Sequence, residues 1–439
     1  MRAHVVGGGL AGSEAAWQLA RAGVDVTLCE MRPAASTPAH RTDQLAELVC
    51  SNSLGSDTPG SAPALLKAEM RRFGSLVLEA AEAARVPAGS ALAVDRDIFA
   101  ANVTRRLAEH PRIAVVRAEI GELPDPAVVA TGPLTSPGFA ATLQREIGAA
   151  HLHFFDAAAP VVTRESLDEA KLFAASRYGK GDGVYLNAPL TRDEYEAFHA
   201  ALCAAENTVL HLAEEQDVRF FEGCLPVEVL ARRGHDTLRY GPMKPVGLRD
   251  PRTGHRPHAV VQLRQDNVAG DLFNLVGFQT QLKWGEQKRV FSLIPGLEQA
   301  EFVRLGVMHK NTYLAAPAFL APTLAHRERP GWFFAGTLIG VEGYTEAAAT
   351  GLLAGFNLAR TLRGDAPLEL PTTTMLGALA RYVSTCEVKH FQPINSNWGI
   401  VDPLASRVRD KQERHRLQHE RSLADLDRLL AGSGVLASG

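Results

Sequence analysis

Two groups of residues have the types and spacing to do chemistry. The first is Gly7-Gly8-Gly9-Leu10-Ala11-Gly12. Gly7, Gly9 and Gly12 follow G-x-G-x-x-G: the first allows a tight turn, the second lets a pyrophosphate approach the backbone, and the third lets a helix pack on a strand. The anion then sits at a helix N-terminus, where free N–H groups and the dipole favour negative charge. Glu30, 18 residues after Gly12, stands where a carboxylate accepts hydrogen bonds from a ribose 2′-hydroxyl. It would repel a 2′-phosphate, which disfavours NADP at this turn. The second group is a pair of thiols. Cys50 opens the polar loop Cys50-Ser51-Asn52-Ser53-Leu54-Gly55-Ser56, and Cys224 lies between a glycine and a proline in Gly223-Cys224-Leu225-Pro226. Both positions let a side chain reach a cleft, but residue type leaves each open between a structural and a reactive role. Cys29 and Cys203 sit in apolar segments and read as small buried side chains, and Cys386 carries no signal. There is no CxxC and no Cys/His cluster at zinc spacing, so no metal is expected.

These groups need elements to position them. Val5 and Val6 end a strand, Ser13 to Ala22 reads as a helix stopped by Gly23, and 24–30 as a second strand. This βαβ unit implies a parallel sheet. Further helices are predicted over 64–84, over 95–107 with Asp95 as cap, and over 343–361. The strand ends Ala130-Thr131-Gly132 and Phe334-Ala335-Gly336 resemble the second and third motifs of two-domain flavoproteins. They favour FAD over NAD and over S-adenosylmethionine, and place Thr131, Gly132 and Gly336 at the cofactor. Glu342 and Gly343 would stand at the start of the 343–361 helix, whose positive dipole end stabilises a reduced, anionic flavin. From about residue 151 short strands are expected at 160–163, 183–187 and 260–264. The predicted fold class is α/β, a Rossmann-like FAD-binding domain with an inserted α+β domain. Residues 1–150 form the first part, 151–324 the insertion, and 325–439 the completion with a C-terminal helical segment.

The 439 residues carry 46 basic and 49 acidic side chains, a net charge of −3, and 46% are hydrophobic. That much apolar surface excludes disorder as the main state. No run of about 18 apolar residues offers a spanning helix, and the N-terminal apolar stretch is broken by glycines, unlike a signal peptide. A cytoplasmic protein without membrane contact is expected. The charge is not uniform. Residues 232–256 hold seven basic against two acidic side chains, which leaves −8 on the remainder. A basic stretch on an acidic body suits an enzyme that visits one region of a folded RNA, and phosphate contact there weighs equally with a solvated face. The arginines of 404–431 read as solvated.

Beyond the nucleotide turn, the segments Glu30-Met31-Arg32-Pro33, Glu47-Leu48-Val49-Cys50-Ser51-Asn52-Ser53-Leu54, Gly241-Pro242-Met243-Lys244-Pro245-Val246-Gly247-Leu248, Gly306-Val307-Met308-His309-Lys310-Asn311-Thr312-Tyr313 and Gly340-Val341-Glu342-Gly343-Tyr344 together resemble the folate- and FAD-dependent tRNA (uracil-5-)-methyltransferases, the TrmFO family. The resemblance runs to about Val401. The larger GidA-type tRNA-modifying flavoproteins share the architecture and carry an extra C-terminal helical domain. The resemblance implies 5-methyluridine formation in the tRNA T-loop, at position 54 in the family. The carbon would come from 5,10-methylenetetrahydrofolate and the electrons from reduced FAD recharged by NAD(P)H. It implies tRNA and folate as partners, with no protein partner evident. Cys224 is then the nucleophile at uracil C6 and Cys50 the second active-site thiol, with the reverse assignment open. His309, in a polar cluster with Asn311, becomes a candidate to stack on the pterin, and Lys244, Arg239 and Arg249 become candidates for phosphate contact. The rival readings are a small-molecule FAD-dependent oxidoreductase, a GidA-like wobble-uridine enzyme, and a flavin-bound RNA-binding protein without turnover.

Overall fold

Ala127–Val129 is buried throughout, and Arg2–Val6 and Asp25–Glu30 bury Ala3, Val5, Val6, Val26, Leu28 and Cys29, as strands covered by helices must. In a computed structural model of the chain they form the middle of a five-stranded parallel sheet. Its order is Trp332–Phe334, Ala127–Val129, Arg2–Val6, Asp25–Glu30, Ile113–Arg117. The structure describes residues 1–432 apart from 38, 149–150, 158, 180–184, 209–224 and 307, and only the backbone of 151–157 and 308–312. The winding direction reverses at the first strand, which has Asp25–Glu30 on one side and Ala127–Val129 on the other. At such a switch point an open α/β sheet binds ligands beyond the carboxyl ends of its strands.

Two helices are aimed at that point. Leu10–Arg21 follows the first strand, and Tyr344–Arg363 packs along it. The contact depends on Gly351 and Gly355, where a Cβ would come within 2.1 Å of the Ala11 carbonyl oxygen and 2.5 Å of that of Ala15. Without side chains there, the backbones approach, and the middle of the Tyr344–Arg363 helix packs on the first turns of the Leu10–Arg21 helix. The helix expected over 343–361 is thus Tyr344–Arg363, and the one over 95–107 is Arg96–Ala108, with the Asp95 carboxylate accepting from the Asp97 and Ile98 N–H groups. The helix expected over 64–84 is two, Ala62–Arg72 and Leu76–Ala83. Gly74 turns the chain at φ +68°, and the Ser75 hydroxyl accepts from the Leu78 N–H to start the second helix. The uniform Ala/Leu composition hid this stop and cap. The buried Glu14 carboxylate closes the same N-terminus by accepting from the N–H groups of Leu76 and Val77 and from the Ser75 hydroxyl.

The intervening residues build a second unit around a six-stranded antiparallel sheet. Its order is Phe173–Ala175, Tyr185–Leu190, Ala259–Gln265, Leu272–Leu275, Val161–Thr163, Phe302–Arg304. One apolar core draws on residues 3–143 and 313–430. A second core, within 162–297, gathers Tyr195, Phe198, Phe278 and Phe291. The chain passes between the two units through paired antiparallel strands, His151–Ala157 and Met308–Leu314. Among the described residues no helix is long and apolar enough to cross a membrane.

Candidate functional site

A cavity of about 320 Å³ opens at the switch point, lined by residues 7–11, Glu30, Cys50, Thr131, Gly132, Gly336 and residues 342–344. The glycines divide by what surrounds them. A Cβ on Gly12 would lie 1.8 Å from the Gly7 carbonyl oxygen, so strand and helix cannot pack without this glycine. A Cβ on Gly9 would meet nothing within 4 Å. The protein does not need a glycine there for its own packing, and the space left is a cradle at a helix N-terminus. Gly9 caps the Leu10–Arg21 helix with no side-chain bond, and the first turn carries no acid. The N–H groups of that turn are therefore open to an anion. Space and donor set fit the diphosphate of a dinucleotide.

Glu30 ends the second strand at the cradle. Its Oε2 accepts from the Gly8 N–H at 2.8 Å, and its Oε1 accepts from Arg32 Nε at 2.8 Å and the Arg32 N–H at 3.1 Å. Burial alone would raise this carboxyl. The Arg32 guanidinium and the two backbone donors outweigh it and hold the group below the usual carboxylate range. An ionised carboxylate with about four acceptor sites keeps capacity for ribose hydroxyls. Arg32 also binds Glu47 at 3.0 Å, which ties the loop after the second strand to the segment that leads to Cys50.

Cys50 is half-buried in the cavity wall, and its segment is fixed from three directions. The Tyr344 hydroxyl, at the start of the Tyr344–Arg363 helix, accepts from the N–H groups of Cys50 at 2.6 Å and Ser51 at 3.2 Å. Burial pushes the Tyr344 phenol well up, and the Cys50 sulfur adds to this, so Tyr344 is a neutral anchor. Asn52 is fully buried. Its Nδ2 donates to the carbonyls of Val94 and Gln265, both at 3.1 Å, and its Oδ1 accepts from Arg264 Nε at 3.0 Å. Arg96 donates to the Leu48 carbonyl at 3.3 Å and pairs with Asp266 at 3.1 Å. Gln265, Arg264 and Asp266 belong to the second unit, so that unit helps to hold the Cys50 loop at the cavity.

The remaining expected residues are distributed unevenly. Cys224 lies outside the described residues. Val227, three residues on, donates its N–H to the Gln279 carbonyl, and Gln279 lines the cavity. His309 and Asn311 fall on the strand Met308–Leu314, opposite Asp156 and Phe154. Cys29 is buried in its strand and burial pushes its thiol up, whereas Cys203 is half-buried on its helix. The basic stretch does not present one uniform surface. Arg239 is paired with Asp236 at 2.7 Å and Arg252 with Asp250 at 2.7 Å. Lys244 is exposed, and Arg249 and Arg256 border an open groove with the 64%-exposed Tyr178. In the C-terminal helix Arg416 pairs with Glu413 and Glu420, and Arg428 with Asp425, the solvated face expected. Arg32, Asn52 and Tyr344 were missed as functional residues although each stands inside a distinctive segment. Arg96 and Arg264 had no local signal at all.

Comparison with known proteins bears on the whole chain. The family described as Glucose inhibited division protein A matches residues 2–366. The chain is 58% identical over 433 residues, 98% of each chain, to the methylenetetrahydrofolate–tRNA-(uracil-5-)-methyltransferase TrmFO of Desulforudis audaxviator. It is 58% identical over 421 residues, 95% of this chain and 96% of the other, to that of Moorella thermoacetica. Among solved structures, Aquifex aeolicus GidA in its form I crystal superposes with a TM-score of 0.70 at 17% identity, over 99% of this chain and 76% of GidA. At that identity the likeness speaks for the fold alone.

Proposed function

The chain belongs to the TrmFO family of methylenetetrahydrofolate–tRNA-(uracil-5-)-methyltransferases, and from that membership we propose that it methylates C5 of a tRNA uridine. The uridine is that of the T-loop, position 54 in the family, and the carbon comes from 5,10-methylenetetrahydrofolate. The cradle at Gly9 would hold FAD, which in its reduced form would supply the hydride that takes a methylene-level carbon to a methyl, with NAD(P)H as the outside reductant. The observation that carries the reading is that one cavity holds both the nucleotide cradle at Gly9 and the thiol of Cys50. Read as a small-molecule flavin oxidoreductase, the chain would leave Cys50, Cys224 and the basic stretch 232–256 without an assigned role.

The chain's own groups divide the work. Residues 10–12 offer N–H groups to the diphosphate, and Glu30 accepts from the ribose. Thr131, Gly132, Gly336, Glu342 and Gly343 form the wall toward the flavin ring. Uracil C5 is a poor nucleophile until a thiolate adds at C6 and makes an enolate. Cys224 takes that role. Val227, three residues further on, donates its N–H to the carbonyl of Gln279, which lines the cavity. Cys50 is the second thiol, serving proton transfer or the one-carbon adduct. His309 stacks on the pterin with Asn311 beside it. Lys244 and Arg249 take phosphates more readily than Arg239, whose charge Asp236 already meets. A tRNA substrate and cysteines 29, 50, 203 and 386 outside any disulfide suit the reducing cytoplasm.

Incubation with unmodified tRNA, labelled methylenetetrahydrofolate and NADPH tests the reaction. Label is expected at C5 of uridine, and its absence sinks the proposal. Full methylation by a Cys224→Ala protein would reject the nucleophile assignment alone.

A further inference from the structure

Arg264 is a charged side chain in a place that charge should avoid. It is 8% exposed on the strand Ala259–Gln265. Its Nε donates to the neutral amide of Asn52, and among the described residues it forms no ion pair with a carboxylate. The neighbouring acid Asp266 is already bound by Arg96, another buried guanidinium. Two cations and one anion are thus buried together, an excess of +1. A buried cation without a counter-charge is costly unless an anion shares its site.

The segment between these arginines carries Cys50. Arg96 holds the carbonyl two residues before it and Arg264 holds the side chain two residues after it. We propose that Arg264, with Arg96, is a positioning residue that keeps Cys50 as a thiolate in the resting enzyme. Burial pulls the Arg264 guanidinium down, and Tyr185, Asp266 and the Cys50 sulfur act against that pull while Arg96 adds to it. Three of the other groups in the cavity wall leave the excess in place. Tyr344 stays neutral and directs its hydroxyl oxygen to the backbone N–H groups. Glu30 and Glu47 in the cavity wall are both bound by Arg32. Glu342, also in the wall, precedes Tyr344 by two residues. A thiolate beside a guanidinium is the usual form of a reactive cysteine, and here it makes Cys50 ready to accept a proton or to bond carbon. That catalytic meaning rests on the function proposed above, but the ionisation does not.

The test follows alkylation of Cys50 by iodoacetamide across about pH 5 to 10 in the full-length FAD-loaded protein, read by mass spectrometry of the Cys50 peptide. The expected midpoint is at least one unit below the free-thiol value of about 8.5. Arg264→Gln should raise it by about one unit, and Arg264→Lys should recover most of the shift by restoring the charge. A purely structural role would affect Lys and Gln variants alike and leave the midpoint in place. An unsubstituted midpoint at or above about 8.5 overturns the proposal without any variant, as does a folded Arg264→Gln protein with an unmoved midpoint. A low midpoint in a protein that methylates no tRNA would support the thiolate and count against the reaction.

Discussion

Gly9→Ser should remove the cofactor without harming the fold. Gly9 caps a helix at φ −73° and ψ −170°, angles any residue adopts, and its Cβ position is open to 4 Å. Serine is a slightly better cap than glycine, so the apoprotein should be unchanged or gain about 0.3 kcal/mol. The new hydroxyl accepts from the N–H of Ala11 or Gly12 and fills the cradle. It competes for the donors that a diphosphate uses. Each charge-assisted hydrogen bond lost costs about 1.5–3 kcal/mol. Losing one or two weakens FAD binding by about tenfold to about 10⁴-fold. Gly12→Ala is the contrast, because its Cβ would strike the backbone oxygen of Gly7 at 1.8 Å. It should destabilise the apoprotein itself by about 1–3 kcal/mol or more. Fluorescence titration of apoprotein with FAD and urea unfolding of the apo forms measure both quantities. Unaltered FAD affinity in Gly9→Ser would refute the cradle, and so would a loss of apo stability as large as that of Gly12→Ala.

Lys67 is fully buried, donates to the carbonyls of Leu54 and Ser56, and burial pulls its amine down to about 8 from 10.5. Between those values the unfolded chain holds the proton and the folded chain does not, so this group makes stability rise with pH across that window, by about 3 kcal/mol. Urea unfolding should show the rise in the unsubstituted protein and not in Lys67→Met; a constant difference between the two would contradict it. Tyr344→Phe deprives the Cys50 and Ser51 N–H groups of their acceptor and should lower stability by about 1–3 kcal/mol, whereas unchanged unfolding would show that the hydroxyl does not anchor the loop. For tRNA, the double change Lys244→Ala and Arg249→Ala should flatten the plot of log affinity against log salt by about 1.5. Arg239→Ala should leave the slope alone, and the opposite ranking would move the RNA contact to the Arg239 face.

The parts of the site that were legible in sequence are those built within one turn of chain. The nucleotide turn is a local device: Gly7 and Gly12 are fixed by steric demands between a strand and the helix that follows it, and such demands act on near neighbours. The Asp95 cap was legible for the same reason. The helix break at Gly74 was local as well, and was overlooked because alanine and leucine surround it. The basic stretch was legible as a count but not as a surface. Whether an arginine faces solvent unpaired depends on which acid folds beside it, and Asp236 and Asp250 claim two of the seven.

The sequence by itself determined that a dinucleotide binds at the first strand and that two cysteines stand in loop positions. Only the tertiary structure decided what surrounds Cys50. Tyr344 is 294 residues away and Arg264 more than 200, and each reaches the thiol loop through a different element. The reason is physical. Steric and capping rules operate over a few bonds, so they are written in spacing. The field at a side chain depends on charges brought close through space and stripped of water, and no spacing along the chain records which ones those are.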